Sequence, residues 1–122
     1  MQQRAILIAD QEEAVSDSLE LVLSDEGYRC FTSSSKSEIL DILQAEAIAI
    51  VILDSQLAMK TGLPQIIKAR YPSVKSIIIS SYAALESIQL ALMDSTSGII
   101  LKPLDFDELI RLVKRMITPA GR

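Results

Sequence analysis

Four short apolar runs in this chain of 122 residues are each followed directly by polar side chains that could do chemistry. If the runs are parallel strands of one sheet, the residues beyond their carboxyl ends lie along the same edge of that sheet. Two carboxylates, hydroxyl groups and an ammonium group are therefore expected to converge. The residues are Asp10, Asp54, Ser80 with Ser81, and Lys102 with Pro103 after it.

This combination of groups suits phosphoryl chemistry assisted by a divalent metal. Mg²⁺ prefers oxygen ligands, commonly one or two carboxylates together with waters and a phosphate. An aspartate carboxylate such as that of Asp54 can also attack phosphorus and form an acyl phosphate. A metal and a lysine neutralise charge on the transferring oxygens, which is most of what phosphoryl transfer requires of a protein.

The apolar runs have the pattern of strands that are buried on both faces. They lack an alternation of apolar and polar residues, as expected for a parallel sheet covered by helices on both sides. One further run is more polar and is typical of an edge strand. The five predicted strands are Ala5–Ala9, Tyr28–Thr32, Ile48–Leu53, Ile77–Ile79 and Ile99–Leu101.

Segments with helical periodicity separate these strands. In the first and last of them, apolar residues recur at spacings of three and four, which gives one apolar stripe on a polar helix. Strand and helix alternate five times, which predicts an α/β fold with a single doubly wound five-stranded parallel sheet flanked by five helices. The predicted helices are Val15–Leu23, Ser37–Ala45, Leu63–Arg70, Leu85–Met93 and Phe106–Ile117.

Several helix boundaries carry their own signals. Pro64 is suited to the first turn of a helix, and Gly27 to a helix end. Asp10 could cap the first helix rather than belong to a site, and the two roles are compatible. Three capping boxes are predicted at helix starts: Asp10-x-x-Glu13, Ser35-x-x-Glu38 and Asp105-x-x-Glu108.

The composition excludes several functional classes. Twelve basic and sixteen acidic residues give a net charge of −4, which disfavours direct binding to nucleic-acid phosphates. Histidine is absent, which removes Ser-His-Asp and Cys-His catalysis and histidine-ligated zinc. The single cysteine, Cys30, allows no intrachain disulfide. The apolar runs are too short to span a membrane and the N-terminus resembles no signal peptide, so we expect a cytoplasmic domain without membrane contact.

Four motifs, in this order, resemble those of bacterial response-regulator receiver domains. They are ILIADQEEA at 6–14, VILD at 51–54 with Gly62 downstream, IIISSY at 77–82 and LKP at 101–103. The match covers nearly the whole chain. It implies a flavodoxin-like topology with strand order 2-1-3-4-5. It also implies a receiver domain over residues 1–118, with 119–122 as a C-terminal end or the start of a linker.

The resemblance implies a role in a two-component phosphorelay. Asp54 would accept a phosphoryl group from a histidine kinase or phosphotransfer protein, which supplies the phosphohistidine. Lys102 would contact the phosphoryl oxygens and be joined to Pro103 by a cis bond. Ser80 would bond the phosphoryl group, and the resulting switch would control an output domain or partner. The implied metal site is Mg²⁺ on Asp10, Asp54 and the backbone carbonyl of Gln56, and the implied switch region comprises Ser80, Ser81, Tyr82 and Ile99.

Three positions depart from the family pattern. Gln11 stands where the family has a second acidic residue that contacts the metal, so weaker Mg²⁺ binding and slower phosphorylation are expected. Ile99, three residues before Lys102, replaces the usual aromatic residue and has no ring to swing. Ala58 replaces a frequent proline, a change expected to alter loop rigidity alone.

One alternative function remains open at this point. Gln11 and Ile99 also suit a degenerate receiver that acts as a phosphorylation-independent docking or dimerisation module. By resemblance, a homodimer would form through the last two helices and the strand between them. An aspartate-based phosphatase, a flavin-mononucleotide binder and a dinucleotide-binding domain are disfavoured, because the required second aspartate, phosphate loop and glycine fingerprint are missing.

Overall fold

The computed structural model describes residues 4–117 of the chain. Five parallel strands form one sheet in the order β2-β1-β3-β4-β5, which confirms the predicted topology. The first strand has its predicted bounds, and the second begins and ends one residue later than predicted. The third, fourth and fifth strands are longer than predicted by one to three residues. The strands are β1 (Ala5–Ala9), β2 (Arg29–Ser33), β3 (Ile48–Asp54), β4 (Lys75–Ser80) and β5 (Gly98–Leu101).

Six α-helices cover the sheet within the described residues, so the expected number of five is wrong. The additional helix is α3, which begins directly after β3 where a loop was expected. A turn of 3₁₀ helix, Met93–Ser95, also follows α5. The helices are α1 (Glu13–Asp25), α2 (Lys36–Ala45), α3 (Ser55–Thr61), α4 (Leu63–Arg70), α5 (Leu85–Leu92) and α6 (Phe106–Ile117).

Helix α3 forms because its sequence can satisfy a helix start at the end of β3. The side chain of Asp54 caps it by accepting a hydrogen bond from the amide of Gln56. Ala58 has an amide hydrogen for the first intrahelical bond, which a proline at that position lacks. Leu57 and Ala58 are buried, so the helix also contributes to the core. The expectation that Ala58 alters loop rigidity alone is therefore wrong.

Two apolar clusters lie on opposite faces of the sheet. Along β1, Ile6 and Ile8 face the cluster under α1 and α6, whereas Leu7 faces the cluster under α2 to α5. All three side chains are fully buried, and each such burial stabilises the fold by ~1.5–3 kcal/mol. No helix among residues 4–117 is long and apolar enough to cross a membrane.

The predicted helix boundaries are confirmed in most places. Ser35 and Asp105 accept hydrogen bonds from the amides of Glu38 and Glu108, which is the first half of each predicted capping box. The second half differs at Ser35, whose amide donates to the Ser33 hydroxyl instead of the Glu38 carboxylate. Pro64 lies in the first turn of α4, and Gly27 follows α1 with a positive φ of 95°. Residues 118–122, which include the predicted linker, lie outside the described residues.

The capping box predicted from Asp10 to Glu13 is wrong. Helix α1 starts at Glu13 with Glu12 as its N-cap residue. The carboxylate of Asp10 accepts a hydrogen bond from the Glu12 amide and closes a tight turn before the helix. This turn leaves Asp10 at the end of β1, on the edge where the site lies.

Candidate functional site

Asp54 occupies the centre of the carboxyl edge, as the last residue of β3. Its side chain is nearly buried, with the residue 8% exposed. Oδ1 lies 3.3 Å from Nζ of Lys102. Oδ2 accepts a hydrogen bond from the backbone amide of Gln56 at 3.0 Å. The carboxylate is therefore fixed by a cation on one oxygen and by a helix start on the other.

Asp10 supplies a second buried carboxylate next to Asp54. The residue is 5% exposed, and Oδ1 accepts the Glu12 amide at 2.8 Å. Burial raises the pKa of Asp10 above its ordinary value, although the Glu12 hydrogen bond acts in the opposite direction. The negative charge of Asp54 also raises this pKa, and the positive charge of Lys102 lowers it. Both charges therefore lie close enough to the Asp10 carboxylate to act on its pKa.

Lys102 is positioned by its own backbone. Its amide donates a hydrogen bond to the Ser80 carbonyl at 2.8 Å, which ties the residue after β5 to the last residue of β4. The Lys102–Pro103 peptide bond is cis, as the resemblance implied. The side chain is 39% exposed, so Lys102 lies at the mouth of the site while its ammonium group reaches Asp54.

The switch residues on the β4–α5 connection have different environments. Ser80 is fully buried, and its hydroxyl donates to the Ser81 carbonyl at 2.8 Å. Ser81 is exposed, and its hydroxyl accepts the Ala84 amide at 3.2 Å. Tyr82 is 79% exposed. In this conformation the Ser80 hydroxyl is directed at its own loop rather than at the carboxylates.

Ile99 lies in β5, where it pairs with Ile78 of β4. It is half-buried and packs against the apolar cluster under α2 to α5. The structure therefore places Ile99 in the sheet as a packing residue, at the position where the family has an aromatic ring. A β-branched side chain is stiff about its first torsion, so this position offers little rotameric movement.

The charged residues surround a cleft of about 270 Å³. Gln11 is exposed at its rim, directly after Asp10. Two of the lining residues, Ser55 and Ala84, were not predicted from the sequence. The backbone amide of Glu12 could have been recognised as the donor that an aspartate two residues earlier binds in a turn. The cleft is lined by Asp10, Gln11, Glu12, Asp54, Ser55, Gln56, Ser81, Ala84 and Lys102.

The side chains at this cleft suit a hard cation in part. Asp10 and Asp54 provide two buried carboxylates, a number that Mg²⁺ accepts when waters and phosphate oxygens complete its shell. Gln11 can add an amide oxygen but no charge. Within residues 4–117, no group of three or more His, Cys, Asp or Glu side chains is arranged to hold a metal. The residues thus fit a magnesium site with a low carboxylate count.

Gln56 makes different contacts in this structure from those that the implied metal site requires. Its backbone amide binds Asp54, whereas its carbonyl belongs to the first turn of α3. Carbonyl groups in an α-helix point towards the C-terminal end and accept amides four residues later. The Gln56 carbonyl is therefore engaged in the helix in this structure.

Comparison with known proteins places the chain in a family. The family model for the response regulator receiver domain matches residues 6–114. An NtrX-like response regulator of Rickettsia felis is 34% identical over 119 residues, covering 94% of this chain and 25% of the relative. The DNA-binding transcriptional regulator NtrC of Escherichia coli K12 is 27% identical over 120 residues, covering 97% of this chain and 26% of the relative.

Solved structures give the same result. NtrX from Brucella abortus, crystallised with ADP, superposes with a TM-score of 0.84 at 28% identity, covering 94% of this chain and 26% of that protein. The N-terminal receiver domain of a response regulator from Bacteroides fragilis shares the fold, with a TM-score of 0.87 at 22% identity, covering 98% of this chain and all of that domain. The chain spans about a quarter of the length of the curated relatives that it matches. It belongs to the response regulator receiver domain family of two-component signalling.

Proposed function

We propose that this domain accepts a phosphoryl group on Asp54 from a phosphohistidine partner, with Mg²⁺ bound at Asp10 and Asp54. The observation that carries the proposal is the buried pair of carboxylates with Lys102 at 3.3 Å, opening into one cleft. The cleft thereby holds a nucleophile in Asp54, a charge-neutralising cation in Lys102 and an acidic metal ligand in Asp10. These are the groups that phosphoryl transfer to an aspartate requires.

In the proposed reaction, one carboxylate oxygen of Asp54 attacks the phosphorus atom of the partner's phosphohistidine. The new O–P bond forms as the P–N bond breaks, and the imidazole nitrogen leaves with the bonding electron pair. Lys102 neutralises negative charge on the transferring oxygens from its place at the mouth of the cleft. Bound Mg²⁺ would supply further charge neutralisation.

The phosphoryl group would change the β4–α5 connection. Its oxygens offer acceptors for the Ser80 hydroxyl, which at present donates to the Ser81 carbonyl. Rotation of that hydroxyl towards Asp54 would release the Ser81 peptide and shift Ser81 and Tyr82. Since Ile99 packs as an aliphatic residue, the signal would leave through this connection and α5 rather than through a turning ring.

The partners follow from the family. Receiver domains interact with histidine kinases or phosphotransfer proteins and with output domains. We propose that this chain is the receiver part, residues 1–118, of a longer cytoplasmic protein, because its relatives are about four times as long. A homodimer through α5, β5 and α6 is supported by exposed Leu90 and Leu101 and by acidic Glu86 and basic Arg111 on the two helices.

A second candidate function is a docking or dimerisation module that works without phosphorylation. The observation that favours it is the neutral Gln11 at the cleft rim together with the double engagement of the Asp54 carboxylate. Both features weaken the attraction for a metal. Binding of Mg²⁺ distinguishes the two functions, since the docking module requires none.

Intact-mass analysis after incubation with acetyl phosphate, with and without Mg²⁺, tests the proposal. A gain of one phosphoryl group that depends on the metal and is absent in Asp54→Asn is expected. The matched control Asp41→Asn, on the exposed side of α2, should keep the gain. A folded protein that shows no gain at saturating Mg²⁺, or an Asp54→Asn variant that keeps it, would contradict the proposal.

A further inference from the structure

We propose that helix α3 and a divalent cation compete for the segment from Asp54 to Gln56, so that Mg²⁺ binding unwinds the first turn of α3. The inference rests on the proposed metal site and adds a conformational step to it. Residue 58 sets the balance between the two states. Strand β3 ends at Asp54 and helix α3 begins at Ser55, with no residue between them.

The junction makes Asp54 serve two structural partners at once. As the N-cap residue of α3, it accepts the Gln56 amide on Oδ2 at 3.0 Å. Its other oxygen faces Lys102 at 3.3 Å. A cation held by this carboxylate draws on the same lone pairs, so it weakens the cap or displaces the lysine. The cap is the weaker partner, because an uncharged amide competes with Mg²⁺ less well than an ammonium group does.

The backbone after Asp54 presents the second conflict. In α3 the Gln56 carbonyl is directed along the helix towards the Lys60 amide. Asp54 lies at the opposite, N-terminal end of the helix, so this carbonyl points away from the carboxylates. For the carbonyl to serve as a metal ligand, the peptide after Gln56 has to leave the helical conformation. The helical first turn of α3 and coordination of a metal by the Gln56 carbonyl therefore exclude each other.

Ala58 decides whether the helical state is accessible. In a helix that starts at Ser55, the Ala58 amide is in position to donate the first intrahelical bond to the carbonyl of the N-cap residue Asp54. A proline there would remove this donor, clash with the same carbonyl and push Leu57 out of the α-region. Alanine instead has the highest helix propensity of all residues. This chain thus carries a residue that favours the helix at the position where a proline would prevent it.

The far end of α3 is held independently of the site. The Thr61 hydroxyl donates to the Leu57 carbonyl at 2.6 Å and accepts the Leu63 amide at 3.2 Å. Gly62 follows in the left-handed conformation, with φ of 68°, and ends the helix. Unwinding can consequently stop after the first turn, and α4 need not move.

Backbone NMR of the 122-residue chain during a Mg²⁺ titration tests the inference directly. The Cα chemical shifts of residues 55–58 should move from helical to non-helical values as the metal saturates. Amide exchange at Ala58 should quicken over the same range. Saturation of metal-dependent shifts at Asp10 and Asp54, with residues 55–58 still helical, would overturn the inference and leave the proposed function standing.

Two variants give a second readout in the Mg²⁺ dissociation constant measured by calorimetry. Ala58→Gly weakens the helix and should tighten Mg²⁺ binding about five-fold. Ala58→Pro blocks the first turn and should tighten it on the order of ten-fold or more. Ala91→Gly makes the matched change in exposed α5 and should leave the affinity unaltered.

The Mg²⁺ affinities of these variants distinguish failure of the competition from failure of the proposed metal site. Equal Mg²⁺ affinity in wild type, Ala58→Gly and Ala58→Pro overturns the competition, even when acetyl phosphate still labels Asp54. Absence of binding in all three overturns both the competition and the proposed metal site. Ala58 is fully buried, so Ala58→Pro is first checked for folding by circular dichroism. Ala58→Gly, which adds no volume, keeps the test valid if the proline variant fails to fold.

Discussion

The ammonium group of Lys102 lies 3.3 Å from Oδ1 of Asp54, although β3, which ends at Asp54, and β5, which Lys102 follows, are not neighbours in the sheet. β4 runs between β3 and β5, so the lysine side chain spans the end of β4, where Ser80 is buried. The backbone bond from the Lys102 amide to the Ser80 carbonyl fixes the start of this span. Lys102 thereby connects the Asp54 carboxylate to the backbone of Ser80.

Replacement of Lys102 by methionine should slow phosphoryl incorporation by about 10²–10³-fold, because a preorganised charge that stabilises transferring oxygens is lost. Methionine keeps the apolar stem and the backbone bond to Ser80. Stopped incubations with acetyl phosphate, read by intact mass, give the rate. Lys114→Met, which removes an exposed lysine of α6, is the charge-matched control. A Lys102→Met protein that is labelled at the wild-type rate would reduce Lys102 to a turn residue.

Replacement of Gln11 by aspartate should tighten Mg²⁺ binding on the order of ten-fold, since a carboxylate near 4 Å in water attracts a divalent cation by about 2 kcal/mol. Calorimetric titration measures the effect. Gln44→Asp adds the same charge to α2, an exposed position at the far end of the sheet, and should change nothing. Unchanged affinity in Gln11→Asp would overturn the expectation that the neutral Gln11 amide weakens Mg²⁺ binding.

Asp10 should make the protein less stable as the pH rises above the acidic range. Its pKa is raised in the folded state from an ordinary value of 3.8, so the folded protein keeps this proton to higher pH than the unfolded chain. The contribution of Asp10 to the free energy of unfolding is fully present below the unfolded pKa and declines as pH passes through the raised folded pKa.

Asp10→Asn should therefore unfold with a larger free energy than wild type at pH 7, and the advantage should shrink towards pH 4. The asparagine oxygen can still accept the Glu12 amide, so the turn is retained. Urea unfolding at both pH values measures the difference, with Asp41→Asn as the control for loss of one negative charge. A variant that is less stable than wild type at pH 7 would contradict the sign.

Ser80→Ala should uncouple phosphorylation from the conformational response. The variant loses a hydrogen bond to the Ser81 carbonyl, which lowers the free energy of unfolding by about 1 kcal/mol. Labelling of Asp54 should persist, whereas the phosphorylation-dependent shift of the Tyr82 amide in NMR spectra should vanish. Ser87→Ala on α5 serves as the control. A Tyr82 shift that persists in Ser80→Ala would show that the Ser80 hydroxyl does not couple phosphorylation to the conformational response.

The sheet and the convergence of the charged residues could be predicted because they depend on short-range patterns. Uniformly apolar runs identify buried parallel strands, and the carboxyl-edge rule then brings Asp10, Asp54 and Lys102 together. The phosphoryl chemistry was inferred from the residue types and the individual roles from family resemblance, and both stay predictions. The orientation of the Ser80 hydroxyl could not be predicted, since it depends on the backbone of its loop.

Helix α3 was missed for a physical reason. Its seven residues are too few to show helical periodicity, and it starts inside what resembles a strand-to-loop transition. The available signal was an aspartate at the N-cap position with no proline four residues on. At Asp10, by contrast, a helix start was predicted where there is none. An aspartate that closes a turn has the same sequence pattern as one that caps a helix.

The position of β1 between β2 and β3 bears on the order in which the molecule assembles. These three strands all lie within the first 54 residues, so they are synthesised before β4 and β5. Lys102 follows Asp54 by 48 residues, so the nascent chain holds an unneutralised carboxylate until its last strand docks. The proposed phosphorylation site is therefore completed late in folding, when β5 pairs with β4 and brings Lys102 to Asp54.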